Sequence, residues 1–299
     1  MACRFEITLA GEDARHVPAA RDALREADRL EASLSVFRDT SDLTRINRHA
    51  ALGPVDVDPE LFALLARCHE LHAATGGAFD ITSTPLSRCW GFLRRQGRLP
   101  SAADIETARS CVGMEAVALC AESSARAVHF TRPSIELNLG SIGKGYAVQC
   151  MAEHLSARGV RHALVSAGAS SIVALGGRGW GWSIDLCARS AKLARLYLRN
   201  GALGTSGAGE QFVEVDGRRY GHVLDPRTGW PASGVRSASV VARDGATADA
   251  LATAFLVGGP DLARAYCAAH QDVLALITVE GASRPELFGA FPGVVVEDP

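Results

Sequence analysis

The order of periodicities along the chain limits the possible folds more than any other feature. "CRFEITLAG" (3–11), "AVHF" (127–130), "SIELNL" (134–139), "HALVSAG" (162–168), "SIVALG" (171–176) and "WSIDLC" (182–187) are short and β-rich, and glycines and polar turns punctuate them. "VPAARDALREADRLEASLSVF" (17–37), "PELFALLARCHELHAAT" (59–75) and residues 145–158 carry apolar side chains at helical spacing instead. Further strands are expected in "QFVEVDG" and "RRYGHVL", joined by Asp216-Gly217, a dipeptide that favours a tight hairpin turn, and in "SASVVA" and "VLALITV". Helices are expected in "TADALATAFLVG" and "DLARAYCAAH". No regular β–α–β alternation appears, which predicts an α+β architecture. No linker, low-complexity tract or short repeat interrupts the chain, so residues 1–299 are expected to form a single domain.

A content of 47% hydrophobic and 21% charged residues is that of an ordinary globular chain with a sizeable core. The 31 Lys+Arg against 33 Asp+Glu, with the arginines scattered, argue against a nucleic-acid partner. No apolar stretch reaches the roughly 18 residues that a membrane helix needs, and the N-terminus lacks the charged-then-apolar pattern of a signal peptide. As written, the chain is expected to be cytoplasmic with no membrane span. Eight dispersed cysteines without a C-x-x-C pair suit reduced thiols buried as small hydrophobes.

Several stretches carry chemistry. "NLGSIGKGYA" (138–147) has three glycines around Lys144, but the spacing is wrong for a nucleotide-triphosphate loop. Glycine backbone N–H groups, a helix start near Tyr146 and the lysine charge still suit a phosphate-bearing ligand. Asp80, in "GGAFDITSTP", closes a local Asx-type turn or faces a heterocycle or ribose. "GTSGAGE" (204–210) is expected to be a flexible, hydroxyl-rich loop, either a plain surface turn or a ligand contact. "RRYGHVLDPRTGWPA" holds His222, Asp225 and Arg227 within six positions, and a histidine transfers protons near neutrality when it is not simply structural. In "TADALATAF", Asp249 and Thr253 stand at i and i+4 on one helix face. A carboxylate plus a hydroxyl suits Mg²⁺; otherwise Thr253 bonds back to a helix carbonyl and Asp249 faces solvent. Together, a lysine-bearing glycine loop, a Mg²⁺-capable carboxylate and a histidine fit phosphoryl-type transfer.

"MACRFEI", "LSVFRDTSDLTRIN", "GGAFDITSTPLSRCWGF", "LNLGSIGKGYAV", "ALVSAG", "TSGAGEQF", "GHVLDPRTGWP" and "ADALATAFLVGG" resemble, in the same order, the landmarks of the ApbE family of FAD:protein FMN transferases, from Met1 to about Gly259. The resemblance implies a single domain of mixed, mainly antiparallel sheets with flanking helices. It implies FAD as substrate, Mg²⁺ as cofactor, and an acceptor flavoprotein whose Thr or Ser hydroxyl receives FMN as AMP leaves. FAD hydrolysis to FMN and AMP, or non-catalytic FAD binding in an assembly role, are the alternatives it leaves open. Carried over by position, Met1, Ser35, Val36, Phe37, Ala78, Phe79, Asp80, Asn138, Lys144 and Val223 would bind the flavin nucleotide. The Asp249 and Thr253 side chains and the Ser141 carbonyl would hold the metal, and His222 would be the base. Family members are often exported, and the chain begins at the family's first landmark, so export from a longer precursor is compatible with the resemblance.

The chain departs from the family pattern where Asn138 replaces the usual aspartate of the loop, "GASS" (168–171) replaces Gly-Gly-Asp, and Ala208 replaces an aspartate after Thr-Ser-Gly. FAD binding is expected to survive these losses while metal affinity or catalysis changes. Leu203 and Gly209 stand where an acceptor signature has Asp and Ser or Thr, so Ser206 is expected to belong to the site and not to be a flavinylation target.

Overall fold

The computed structural model describes residues 3–122, 125–188, 191–208 and 211–297. Met1 of the expected nucleotide site and Gly209 and Glu210 of "GTSGAGE" therefore lie outside the described residues. Two compact units are present: Met1–Glu31 with Gly140–Gly209 and Ser233–Pro299, and Ala32–Leu139 with Glu210–Ala232.

The first unit is built on a seven-stranded sheet of β1 (Phe5–Leu9), β2 (Ala163–Ala167), β3 (Ser171–Leu175), β4 (Gly201–Gly207), β5 (Val235–Ala242), β6 (Leu274–Val279) and β7 (Glu286–Gly289), neighbours in that order. Every neighbouring pair is antiparallel. Alternation along the strands turns Ile172, Ala174, Leu203, Val241, Leu274 and Leu276 to one face, where they form a core with Ile184, Leu186, Leu196 and Leu198. Those partners come from a three-stranded antiparallel sheet of Trp182–Ala188, Ala191–Leu198 and Val294–Glu297. The opposite face carries two helices, α1 (Gly143–Ala157) and α2 (Gly245–Ala269). α2 breaks where expected: Gly259 has φ 69° and ψ −167° ahead of Pro260, which has no N–H to continue the helix.

β4 corrects the flexible-loop reading for residues 204–207. Gly204, Thr205, Ser206 and Gly207 pair in register with Val240, Ser239, Ala238 and Ser237. Glycine and serine are poor strand formers, but this strand runs beneath α2, and a Cβ on Gly204 would stand 2.4 Å from the backbone of Ala248. Close helix packing selects the small residues that make the segment look like a loop.

In the second unit the helix Pro59–Ala74 starts where expected, with the Asp58 carboxylate accepting from the Glu60 N–H at 2.8 Å. It accompanies a three-stranded antiparallel sheet of Val55–Asp56, Ala125–Phe130 and Val117–Glu122. The hairpin Phe212–Val215/Arg218–Gly221 turns at Asp216 (φ 52°) and Gly217 (φ 75°), two left-handed residues as a primed turn demands. The helix expected to run to Phe37 stops at Leu34, because Ser35 opens a turn: its carbonyl accepts from Arg38 N–H and its hydroxyl from Phe37 N–H, each at 3.3 Å. "SIELNL" is not a strand. The Asn47 side chain donates to Leu137 C=O at 2.9 Å and accepts from Leu137 N–H at 2.8 Å, so one amide supplies the bonds that a neighbouring strand would offer. Three short helices, Asp42–His49, Thr84–Cys89 and Ala102–Arg109, escaped the periodicity reading; the caps Ser41 and Ser101 were the signals for two of them.

Among the described residues no helix is long and apolar enough to cross a membrane. Cys120 and Cys187 are exposed, against the expectation that all eight thiols are buried.

Candidate functional site

In the first unit, chemistry gathers where the N-terminus of α1, the first turns of α2 and the ends of β3 and β4 meet on the helix-covered face of the sheet. Asp249 is buried on α2. Its Oδ2 accepts from the Gly145 N–H at 2.6 Å, and its Oδ1 accepts from the Ser171 hydroxyl at 2.7 Å. Lys144 Nζ donates to Ser170 Oγ at 2.5 Å, and Ser170 Oγ lies 3.5 Å from Ser171 Oγ. One chain of polar groups thus runs from ammonium to carboxylate. Burial pushes the Asp249 carboxyl up to about 6, opposed by the Lys144 charge and by the Ser171 and Gly145 hydrogen bonds.

The geometry changes the meaning of the glycine loop. α1 begins at Gly143 rather than near Tyr146, so Gly143 and Gly145 belong to its first turn. A Cβ on Gly145 would stand 1.9 Å from Gly245 O and 2.9 Å from Asp249 Cγ. The glycine serves helix-to-helix contact, and the anion at its N–H is the protein's own carboxylate.

Thr253 follows the back-bonding alternative in part: its hydroxyl donates to Asp249 C=O at 3.3 Å and lies 3.1 Å from Ser206 Oγ. Asp249 itself does not face solvent. Ser141 is half-buried in the turn before α1. The donors in this unit are a carboxylate and the hydroxyls of Ser170, Ser171, Ser206 and Thr253, all hard oxygens that fit Mg²⁺. Among the described residues no group of three or more His, Cys, Asp or Glu is gathered to hold a metal. A cation here would take Asp249 as its carboxylate and complete its shell with hydroxyls, carbonyls, water or substrate oxygens.

In the second unit, Asp80 Oδ1 accepts from Thr82 N–H at 2.7 Å and from the Thr82 hydroxyl at 2.6 Å, which is the Asx-type turn of the local reading. Its Oδ2 lies 3.4 Å from His72 Nδ1. Burial raises the Asp80 carboxyl, and the Thr82 hydrogen bonds oppose that rise. Ala78 and Phe79 are buried, while Phe37 is 77% exposed on its turn. Ser35 is buried, Val36 and Val223 are half-buried, and the Asn138 N–H donates to Ile81 C=O at 2.8 Å.

His222 leaves the hairpin at its register with Gln211. Its N–H donates to Gln211 C=O at 3.0 Å, and its Nδ1 lies 3.2 Å from the same oxygen. A carbonyl only accepts, so this contact puts the proton on Nδ1 and makes Nε2 the basic nitrogen. The following "LDPRTG" closes on itself: Asp225 Oδ1 accepts from Arg227 N–H at 2.9 Å, and Asp225 C=O accepts from Gly229 N–H at 2.8 Å. Gly229 C=O in turn accepts from Trp90 Nε1 at 2.9 Å, within a core of Leu86, Trp90, Phe92, Ile105, Ala108 and Leu224. Asp225 and Arg227 therefore hold a turn and are not spare acid–base groups.

Ser170, Ser171 and Gln211 were missed by sequence reasoning, whereas Ser206, expected in the site, lies 3.1 Å from Thr253 Oγ1. "GASS" reads as a lost acid, yet strand alternation in "SIVALG" puts Ser171 on the face opposite Ile172, which was the available signal. Ser171→Ala is expected to remove about 1–3 kcal/mol of stability by leaving a buried carboxylate oxygen without its donor. Urea denaturation near neutral pH checks this, and Ser171→Thr, which keeps a hydroxyl, should recover part of the loss.

The ApbE family profile matches residues 1–277. The FAD:protein FMN transferase of Escherichia coli strain K12 is 27% identical over 292 residues, covering 95% of this chain and 83% of that protein. The crystal structure of the ApbE protein from Thermotoga maritima superposes with a TM-score of 0.84 at 30% identity, covering 96% of this chain and 94% of the other. The apo form of the flavinyl transferase ApbE from Pseudomonas stutzeri gives 0.80 at 28% identity with the same coverage of both chains. The fold expectation of mixed, antiparallel sheets with helices agrees with these structures.

Proposed function

This chain belongs to the ApbE family, and from that premise we propose that it is a Mg²⁺-dependent FAD:protein FMN transferase. A Thr or Ser hydroxyl of an acceptor protein attacks the FMN-side phosphorus of FAD, the bridging P–O bond breaks, and AMP leaves. The observation that carries the reading is the buried Asp249 carboxylate, held by Gly145 and Ser171 with the Lys144 ammonium two hydroxyls away. Preorganised charges of this kind act where negative charge moves in a phosphoryl transfer.

FAD is assigned to Ser35, Val36, Phe37, Ala78, Phe79, Asp80, Asn138, Lys144 and Val223. Phe37 offers an exposed ring for stacking, whereas Ala78 and Phe79 are buried. Asp249, Thr253 and the Ser141 carbonyl are assigned to Mg²⁺, which when bound neutralises charge on the diphosphate. His222 takes the proton of the acceptor hydroxyl at Nε2, its ring held by Gln211.

Incubating the protein with FAD, Mg²⁺ and an acceptor domain should yield acid-stable flavin fluorescence on the acceptor band. Tight FAD binding without transfer refutes the proposal. Rapid production of FMN and AMP in the absence of acceptor marks a pyrophosphatase instead. His222→Ala is expected to slow transfer about 10²- to 10⁴-fold while leaving the FAD dissociation constant unchanged. An unaltered rate removes the histidine from the mechanism.

A further inference from the structure

By sequence the arginines are scattered, but in the second unit four of them share one region. The segment 91–98, "GFLRRQGR", folds back onto the hairpin: Gln211 Nε2 donates to Phe92 C=O at 3.1 Å, and Arg98 N–H donates to Trp90 C=O at 3.0 Å. Gly97 approaches the hairpin so closely that a Cβ there would stand 2.8 Å from Val213 Cβ. Arg94, Arg95 and Arg98 are all exposed. Arg95 holds φ 54° and ψ 31°, a left-handed conformation that costs any residue other than glycine.

On the hairpin, Arg218, Tyr220 and His222 stand at alternate positions and so lie on one side, opposite Val215, Val213 and Gln211. The Arg218 guanidinium lies 5.2 Å above the Tyr220 ring, and Tyr220 packs against Trp90 at 5.5 Å between centroids. Arg219 points to the other side, where Glu214 neutralises it at 2.8 Å. Among the described residues, Asp216 is exposed at the hairpin tip, and the Asp104 carboxyl is lowered chiefly by Ser101, with Arg98 the smallest contributor. Among the described residues Arg94, Arg95, Arg98 and Arg218 make no ion pair. A chain of net charge −2 thus concentrates cationic side chains on the hairpin, and on the segment packed against it, that lead to the residue assigned as base.

We propose that this face docks an acidic segment of the acceptor protein, an inference that rests on the transferase reading. Arg218 precedes His222 by four residues, about 13 Å along an extended strand. A segment lying along the hairpin would place a carboxylate on the arginines roughly four residues from the hydroxyl that reaches His222. Charge complementarity of this kind sets the approach and orientation of a partner more than its final affinity.

A short fluorescent peptide with one Thr and several Glu residues tests the surface directly, read by anisotropy on the FAD-loaded full chain. The peptide should bind at about 50 mM KCl and weaken about tenfold by about 200 mM, as screening dictates. The same peptide with Gln for Glu should not bind. Arg95→Glu with Arg218→Glu should lower affinity for the acidic peptide about tenfold or more, leave FAD affinity unchanged, and raise the acceptor KM at constant kcat. Equal binding of the Gln peptide, or no effect of the double reversal, overturns the proposal. Tighter binding of phosphatidylserine vesicles or of a single-stranded oligonucleotide, lost in the same variant, overturns it in favour of a membrane or nucleic-acid surface. Failure of the transferase reading shows separately, as wild-type protein that moves no flavin to any acceptor.

Discussion

Replacing Asp249 with Asn is expected to lower flavin transfer about 10³-fold, a loss of about 4 kcal/mol of transition-state stabilisation. The variant keeps its shape. The Asn oxygen can accept from Gly145 N–H and its amide can donate to Ser171 Oγ, so both native contacts have a substitute. What disappears is the charge that would hold a cation and act on the diphosphate. FAD affinity should change little, because the groups assigned to it are spread over separate segments. Full activity with Asn at this position removes the metal assignment and the mechanism built on it. The pH dependence of stability is a second readout. The Asp249 carboxyl titrates near 6 when folded against an ordinary value of 3.8, so the native state binds its proton more tightly than the unfolded chain does. The resulting penalty is absent below about pH 4, grows between about pH 4 and 6, and is complete above, at about 3 kcal/mol. Metal-free wild-type protein should lose stability over that window, and Asp249→Asn should not. Urea titrations in chelator at about pH 5 and pH 8 compare the two, and identical slopes refute the assignment of the raised carboxyl.

Gly145→Ala is expected to prevent folding or to cost more than about 3 kcal/mol, beyond the usual range for one extra methyl in a core. The added carbon would meet Gly245 O at 1.9 Å, and Gly245 is itself pinned, since a Cβ on it would stand 2.3 Å from Gly145 O. Backbone atoms on two helices cannot rotate aside, so the helices must separate and carry the Asp249 carboxylate away from the Gly145 N–H. Gly53→Ala is the control: nothing lies within 4 Å of its Cβ position, and stability should stay within about 0.5 kcal/mol of wild type. Soluble Gly145→Ala protein with an unshifted urea midpoint refutes the close-contact account.

Local physics was legible in the residues. The short β-rich runs "HALVSAG" and "SIVALG", the helical spacing that begins at Pro59, the Asp216-Gly217 turn and the two separate helical stretches "TADALATAFLVG" and "DLARAYCAAH" are all local signals, and each produced the expected element. The Asx turn at Asp80 was equally local. The segments that misled were those whose bonding partners lie far away in sequence. "SIELNL" has the composition of a strand, but Asn47, about ninety residues earlier, takes its backbone groups. "GTSG" has the composition of a loop, but two strands and a helix enclose it.

Residue types alone determined that Lys144, Asp249 and His222 could carry charge and protons, that Asp249 and Thr253 share a helix face, and that the chain builds an α+β fold. Tertiary structure decided what each group does there. It brought the Asp249 carboxylate onto the first turn of a helix 104 residues away in the chain, made Gly145 a packing residue, and supplied Ser171 and Ser170 as partners for carboxylate and lysine. The reason is that periodicity and turn chemistry are short-range, whereas a buried charge must find its hydrogen-bond donors wherever the packed elements present them.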